Sequence, residues 1–124
     1  MVGNYNVHPV VAVSDLEHAR QFYEDILGLE VAEESAMEIK YHSGDTYLSV
    51  YVSSYAGTNQ ATSATWEVEG IQDVVEGLEA AGVTFERYEM EGVAHEGSIH
   101  VMKDMKAAWF KDQDGNILCV HQDT

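Results

Sequence analysis

The side chains in this 124-residue chain that could carry chemistry are six histidines and one cysteine. A catalytic metal ion needs about three nitrogen, sulfur or carboxylate ligands and one open position. His8 and Cys119 supply two such ligands. His121 follows Cys119 by two residues and therefore shares its strand face, and His100 could reach the same interior. A set formed by His8, His100, Cys119 and His121 is therefore one hypothesis for a metal site.

Catalysis without a metal finds less support in the sequence. Cys119 lies near the end of a predicted strand, with no helix N-terminus beside it that would favour a reactive thiolate. Glu67, His8 and His121 could act as a general acid or base, but only their geometry can decide that. No glycine-rich phosphate loop and no G-x-S-x-G nucleophile motif occur. The sequence therefore assigns no catalytic residue.

A repeated unit of strand, helix and glycine must position these side chains. Val13-Ser14-Asp15-Leu16 matches Val68-Glu69-Gly70-Ile71 at an offset of 55 residues. In both copies, alternating residues before this point predict a strand, and apolar residues at helical spacing after it predict a helix. Gly28 and Gly82, which are 54 residues apart, end the two helices. Each copy then closes with a β-hairpin, predicted from Gly-Asp and Asp-Gly turn residues between apolar runs.

The fold class predicted from this repeat is α+β, with two βαβββ modules in tandem. The modules span about residues 5–57 and about residues 60–124 of a single domain, 1–124, because the stretch between them is small and polar. The loop 89–97 is either an irregular connection or a flap over a cleft.

Two local features have alternative interpretations. Val7 to Val13 is the predicted first strand, and the helix after it is capped either by Ser14, with Glu17 completing a capping box, or by Asp15. In a later strand, Trp109 and Phe110 point to opposite faces, so one belongs to the core and the other can line a cavity.

Composition limits the setting of the protein. With one cysteine the chain cannot form an internal disulfide, which favours a reducing, cytoplasmic location. The apolar runs are too short to span a bilayer, and the first residues lack the pattern of a leader peptide. We therefore expect a cytoplasmic protein without a membrane segment.

The charge balance is unusual, with 22 acidic residues against six basic ones and a formal net charge of −16. Such a chain repels phosphate groups, which argues against nucleic acid or an anionic membrane as partner. The acidic residues are distributed along the chain. They form either an ordinary solvated surface or, in a halophilic interpretation, an adaptation to a salt-rich cytoplasm that screens their repulsion.

Two signatures carry a family resemblance over nearly the whole chain. The first is His8 with Ser14-Asp15-Leu16, Phe22-Tyr23 and Leu27-Gly28-Leu29, and the second is the stretch 108–116, AWFKDQDGN. With these, the chain resembles the vicinal oxygen chelate superfamily, which holds glyoxalase I, extradiol dioxygenases and bleomycin-resistance proteins. The resemblance implies eight strands that curl as an open mixed sheet around a cleft, and commonly a homodimer.

The resemblance also implies four inward positions that hold a divalent metal in metal-binding members, filled there by histidines and glutamates. In this sequence the four positions are His8, Ser49, Ser63 and Cys119. Only His8 fits the pattern, and serine hydroxyls are poor ligands for a catalytic cation. No metal is therefore expected at these positions.

The predicted cleft combines apolar, aromatic and hydroxyl side chains. Such a lining suits a mostly apolar or planar ligand oriented by a few hydrogen bonds, although the same aromatics could simply fill a small barrel-like core. The predicted lining consists of His8, Val10, Tyr47, Ser49, Tyr51, Ser63, Thr65, Ile117, Cys119 and His121, with Trp109 or Phe110.

Two functions follow from these residues and this resemblance. The first is a small-molecule-binding protein without a cofactor, similar to the resistance proteins of the superfamily. The second is a glyoxalase-like lyase or isomerase, or a dioxygenase, that uses zinc, nickel, manganese or iron in an atypical ligand set. The depleted metal positions favour the first.

Overall fold

The computed structural model describes residues 1–124, which form ten strands and two helices. The helices are α1 (Leu16–Arg20), which continues as a π-helical segment (Gln21–Ile26), and α2 (Ile71–Ala80). Neither helix has the length and apolar character needed to cross a membrane. The strands are β1 (Val10–Val13), β2 (Glu30–Glu34), β3 (Glu38–Ser43), β4 (Thr46–Val52), β5 (Thr62–Glu67), β6 (Phe85–Glu86), β7 (Ala94–Glu96), β8 (Ile99–Val101), β9 (Met105–Lys111) and β10 (Ile117–Asp123).

The strands form two open sheets that follow the two halves of the chain. The first has the order β1-β4-β3-β2, and the second has the order β5-β10-β9-β8-β7, with β6 also paired to β9. In each sheet the first strand of the half pairs in parallel with the last, and the other pairs are antiparallel. The α+β fold class is therefore confirmed. The structure divides this open mixed architecture into ten strands in two sheets, where the resemblance implies eight strands in one.

The register of the two parallel pairs follows the 55-residue offset. Val10 lies beside Ser49 in the first sheet, and Thr65 lies beside Cys119 in the second. Val10 and Thr65 are 55 residues apart, so Ser49 and Cys119 occupy equivalent places in the two sheets. β1 and β5 are end strands that contact each other without pairing. We call the line between β1 and β5 the seam.

β1 begins three residues later than the sequence predicts. Pro9 has no backbone N–H and cannot donate to a ladder, although its carbonyl oxygen accepts a 3.0 Å hydrogen bond from the N–H of Ser49. Val10 is therefore the first strand residue. His8, predicted to lie in the first strand, belongs to the exposed chain that precedes the sheet.

Asp15 caps α1, and Ser14 has a different role. Asp15 Oδ1 accepts a 3.0 Å hydrogen bond from the N–H of His18, which satisfies a free donor of the first turn and lowers the pKa of the Asp15 carboxyl. Ser14 donates its hydroxyl to Asp114 Oδ1 at 2.6 Å. Of the two predicted caps the structure therefore selects Asp15, and the capping box of Ser14 with Glu17 is not formed.

A single apolar core joins the two halves. The ring centroids of Phe22, in the π-helical segment, and Phe110, in β9, lie 6.3 Å apart. Tyr23 stacks on Tyr41 at 6.1 Å. Phe110 is fully buried, whereas Trp109 is half-buried. Of the two residues, Phe110 thus belongs to the core and Trp109 faces a cavity.

The β9–β10 turn ties the halves together through a buried carboxylate. Asp112 accepts hydrogen bonds from the Tyr23 hydroxyl at 2.7 Å and from the backbone and side-chain nitrogens of Asn116 at 2.9 and 2.8 Å. Asn116 also donates to the carbonyl of Ala12 at 2.7 Å and accepts from the N–H of Gly57 at 3.2 Å. Burial is the main cause that raises the pKa of the Tyr23 hydroxyl, and the negative charge of Asp112 is the second. The hydroxyl therefore stays protonated and donates its hydrogen bond. We call Tyr23, Gly57, Asp112 and Asn116 the junction.

Part of the predicted loop 89–97 is a strand. β7 pairs with β8, and His95 lies opposite His100 in that hairpin. Both imidazoles bind the backbone of Tyr88: His100 Nε2 accepts from its N–H at 2.9 Å, and His95 Nε2 donates to its carbonyl at 3.1 Å. The prediction of an irregular connection is therefore wrong for residues 94–96. Their backbone groups pair with β8, and the glycines in this stretch of sequence do not indicate such pairing.

Candidate functional site

A cavity opens at the Pro9 end of the seam, and most of its lining residues belong to β4 and β5. Its volume is about 480 Å³, which lies within the range of roughly 300–1,000 Å³ usual for small-molecule sites. None of its lining residues carries a charged side chain, and five carry a hydroxyl in addition to Tyr47. We call it the seam cavity; it is lined by Pro9, Ser43, Thr46, Tyr47, Leu48, Thr62, Ser63, Ala64, Thr65 and Trp66.

Both faces of β5 reach the seam cavity because β5 is an end strand with one free edge. Its consecutive residues 62–66 all line the cavity. Trp66 Nε1 donates a 2.9 Å hydrogen bond to Ser43 Oγ, at the end of β3. This bond crosses from one sheet to the other and fixes the indole as one wall of the seam cavity.

Tyr47 forms the second aromatic wall, and three basic side chains surround its ring. The ring centroid lies 5.4 Å from that of His8 and 5.2 Å from that of His42. Lys40 Nζ lies 5.9 Å from the same centroid. Tyr47 and His8 together border a second, smaller recess of about 390 Å³.

Ser49 and Cys119, predicted to line the cleft, lie inside the sheets and are each only 3% exposed. The Ser49 hydroxyl donates to the carboxylate of Glu38. Burial raises the pKa of the Cys119 thiol, and a hydrogen bond with Thr65 partly offsets that rise. Neither residue lines the seam cavity.

Trp109 lines a separate cavity of about 700 Å³ on the second sheet. Its indole N–H donates to Thr62 Oγ1 at 3.1 Å, and the ring of Tyr88 packs edge-on at 5.6 Å. Glu86 and Lys111, which form a 3.4 Å ion pair, also border this cavity. Thr62 is shared with the seam cavity, so the two cavities adjoin at the start of β5.

His121 lines neither cavity and lies beside two carboxylates. Its Nδ1 is 2.7 Å from Thr65 Oγ1, and its Nε2 is 3.9 Å from Asp123 Oδ1. One ligand atom each from Glu67, His121 and Asp123 lies within 4.8 Å of the other two. This is the one group of three metal-ligand side chains that the fold assembles.

His100 is fully buried, and its Nε2 is occupied by the N–H of Tyr88. Burial, and next the neighbouring His95, lowers the pKa of His100, which favours the neutral imidazole. The structure therefore does not assemble the hypothetical ligand set of His8, His100, Cys119 and His121. His8 instead contacts Tyr47, and His121 contacts Thr65.

Comparison with known proteins places this geometry in a family. A model of the Glyoxalase/Bleomycin resistance protein/Dioxygenase superfamily matches residues 6–120. The chain belongs to this superfamily. Among curated proteins, none matches the sequence.

Solved structures of the superfamily share the fold at low sequence identity. A glyoxalase family protein from Enterococcus faecalis is 20% identical, with a TM-score of 0.73 over 98% of this chain and 99% of the other. TnmS3, an antibiotic binding protein from Streptomyces, is 16% identical, with a TM-score of 0.73 over 100% of this chain and 99% of the other. A glyoxalase family protein from Bacillus anthracis is 18% identical, with a TM-score of 0.70 over 98% of both chains.

The four positions that correspond to the metal site of the superfamily do not form a suitable donor set in this chain. His8 is exposed and packs on Tyr47. The Ser49 hydroxyl donates a hydrogen bond to Glu38, and the Ser63 hydroxyl accepts one from Asn59 Nδ2 at 3.3 Å. The raised pKa of Cys119 disfavours the thiolate that a metal requires. The residues present therefore do not fit a divalent metal at these positions.

Sequence alternation alone misses part of the lining of the seam cavity. Of the predicted lining residues, Tyr47, Ser63 and Thr65 line the seam cavity, while Tyr51 lies on the surface, 38% exposed. Trp66 and Pro9 are missed. Alternation places Trp66 on the strand face opposite that of Ser63 and Thr65. Its indole N–H needs a partner, and that need is the signal that could have placed Trp66 at an opening.

Proposed function

We propose that this chain binds a small, mostly planar and apolar molecule in the seam cavity, without a metal at the four superfamily positions. The observation that carries the proposal is the cavity itself, which has Tyr47 and Trp66 as aromatic walls and hydroxyl groups between them. Aromatic walls supply apolar contact area, and a few hydroxyls orient the ligand. The structural similarity to the antibiotic binding protein TnmS3, with a TM-score of 0.73, establishes a shared fold, and superfamily membership supports the small-molecule class.

A fluorescent probe tests this proposal. We expect the neutral aromatic N-phenyl-1-naphthylamine to bind with increased fluorescence, and Trp66→Ala to weaken its binding at least tenfold. Ser63→Tyr, which fills the cavity and keeps the Trp66–Ser43 hydrogen bond, should do the same at an unchanged melting temperature. Tyr55→Ala is the matched control, because Tyr55 is 76% exposed and outside the cavity. A wild-type protein that does not bind the probe, or two folded variants that bind it as well as wild type, would overturn the proposal.

One observation favours the alternative, an enzyme that depends on zinc, nickel, manganese or iron. Glu67, His121 and Asp123 could supply three ligands, with Thr65 orienting His121 through Nδ1. We expect less than stoichiometric metal in protein purified without chelator, measured by plasma mass spectrometry, because Glu67 and Asp123 are exposed. Stoichiometric metal that disappears in His121→Ala but remains in His18→Ala would support the metalloenzyme.

A homodimer is the expected assembly. The outer end strands β2 and β7 present unpaired edges, and the chain before β1 exposes Val2, Tyr5 and Val7 to 79%, 78% and 87%. Edges and apolar surface of this kind are commonly covered by a second copy. Light scattering at micromolar protein should give twice the mass of the chain, whereas the mass of one chain would count against the dimer.

The cellular setting is part of the same proposal. The single cysteine supports a reducing cytoplasm, and the net charge of −16 supports both adaptation to salt and the lack of a nucleic-acid or membrane partner.

A further inference from the structure

Basic side chains are scarce in this chain, yet three of them lie around the ring of Tyr47, a residue that lines the seam cavity. The six lysines and arginines and the six histidines face 22 acidic residues. His8, His42 and Lys40 nevertheless lie within 6 Å of the centre of the Tyr47 ring. The basic side chains around Tyr47 therefore come from two short segments, residues 8 and 40–42, of an otherwise acidic chain.

The strand register explains why these groups share one face. His42 lies opposite Tyr47, and Lys40 lies opposite Ser49, in the antiparallel pair of β3 and β4. Residues at alternate positions of a strand point to the same side, so Lys40, His42 and Tyr47 face together. His8 joins them from the chain before β1, where it borders the same recess as Tyr47.

The carboxylates nearby leave this basic group available. Glu33 is 3.7 Å from Lys40 Nζ, but its own side chain is 77% exposed, and a pair of this kind contributes little. Glu38 is held by Ser49. Asp45 borders the recess of His8 and forms no ion pair with these three residues.

We propose that the ligand of the seam cavity carries an acidic group, a carboxylate, sulfonate or phenolate, which His8, His42 and Lys40 bind beside Tyr47. The inference rests on the proposed function and adds the ligand's charge to it. The planar body occupies the uncharged cavity, and the anion lies at its Tyr47 end. Charged N–H donors form stronger hydrogen bonds to an anion than neutral donors do. A localised basic group also selects anionic ligands that the rest of the acidic surface repels.

Two probes that differ by one group test the inference. 1-Anilinonaphthalene-8-sulfonate is N-phenyl-1-naphthylamine with a sulfonate added. In the variant H8Q/K40Q/H42Q, the affinity for the sulfonate probe should fall at least tenfold, while the affinity for the neutral probe should change less than twofold. H18Q/K103Q is the matched control, because it removes one exposed histidine and one exposed lysine outside the cavity. It should leave both affinities within twofold of wild type.

The outcomes separate this inference from the proposed function. Binding of both probes with no loss of the sulfonate probe in H8Q/K40Q/H42Q would overturn the inference and leave the proposed function standing. An equal loss of both probes would also overturn it, because the three residues would then only shape the cavity. If wild type binds neither probe, the proposed function itself fails. The single variants K40Q and H8Q, at half-buried and exposed positions, repeat the comparison if the triple variant does not fold.

Discussion

Gly57→Ala is expected to lower the free energy of unfolding by roughly 2–6 kcal/mol, because two costs combine. Gly57 has a φ of +71°, in the left-handed region where a side chain costs roughly 1–3 kcal/mol. A Cβ atom at this position would also overlap the carbonyl oxygen of Asp114. A backbone oxygen cannot rotate away, so the β9–β10 turn has to shift, at a cost of roughly 1–3 kcal/mol. Urea denaturation followed by tryptophan fluorescence measures the change.

Gly44→Ala separates these two costs. Gly44 has a φ of +55°, and a Cβ atom there would meet nothing within 4 Å. It should therefore lose only the conformational part, roughly 1–2 kcal/mol. Equal losses in the two variants would show that the approach of Gly57 to Asp114 does not limit the substitution.

Asp112→Ala is expected to cost roughly 3–5 kcal/mol, because a buried donor without an acceptor costs roughly 1–3 kcal/mol and several donors lose theirs together. The Tyr23 hydroxyl and the two nitrogens of Asn116 all donate to this carboxylate. Asp112 is 6% exposed, so water can replace it only in part. Since the junction joins both halves, we expect the urea midpoint to fall strongly.

Two variants calibrate this result. Tyr23→Phe removes one of the hydrogen bonds to Asp112 and should cost about 1–2 kcal/mol. Asp104→Ala removes an exposed carboxylate and should stay within about 0.5 kcal/mol of wild type. An Asp112→Ala protein as stable as Asp104→Ala would show that the carboxylate does not hold the junction.

The elements that follow from local pattern were predictable from the sequence. β9 (Met105–Lys111) is such an element, because the apolar run 107–110 lies between two lysines and a clear turn follows it. Gly28 and Gly82 end their helices with φ of +76° and +101°, which the lack of a Cβ atom permits. The repeat revealed the two halves and predicted the fold class, and the family signatures added the open mixed sheet.

The seam and its cavity were not predictable in the same way. Their shape depends on two end strands that meet without hydrogen bonds, and no local pattern encodes such a contact. Alternation therefore placed Ser49 and Cys119 in the cleft and did not include Trp66 among its lining residues. Ser14 shows the same limit, because its tertiary bond to Asp114 competes with the local cap. Pro9 was the available clue, since a residue without an N–H ends a ladder.

Because Cys119 is buried, the reactivity of its thiol reports the local unfolding of β10. It is the only cysteine, and its thiol is 3% exposed with a raised pKa. A thiol-alkylating reagent can therefore modify it only when the pairing of β10 with β5 and β9 opens. The rate of labelling in native buffer, compared with the rate in urea, gives the free energy of that opening without any engineered label. Because β10 pairs with the strand that lines the seam cavity, a bound ligand should slow the labelling, so the same thiol also reports occupancy of the site.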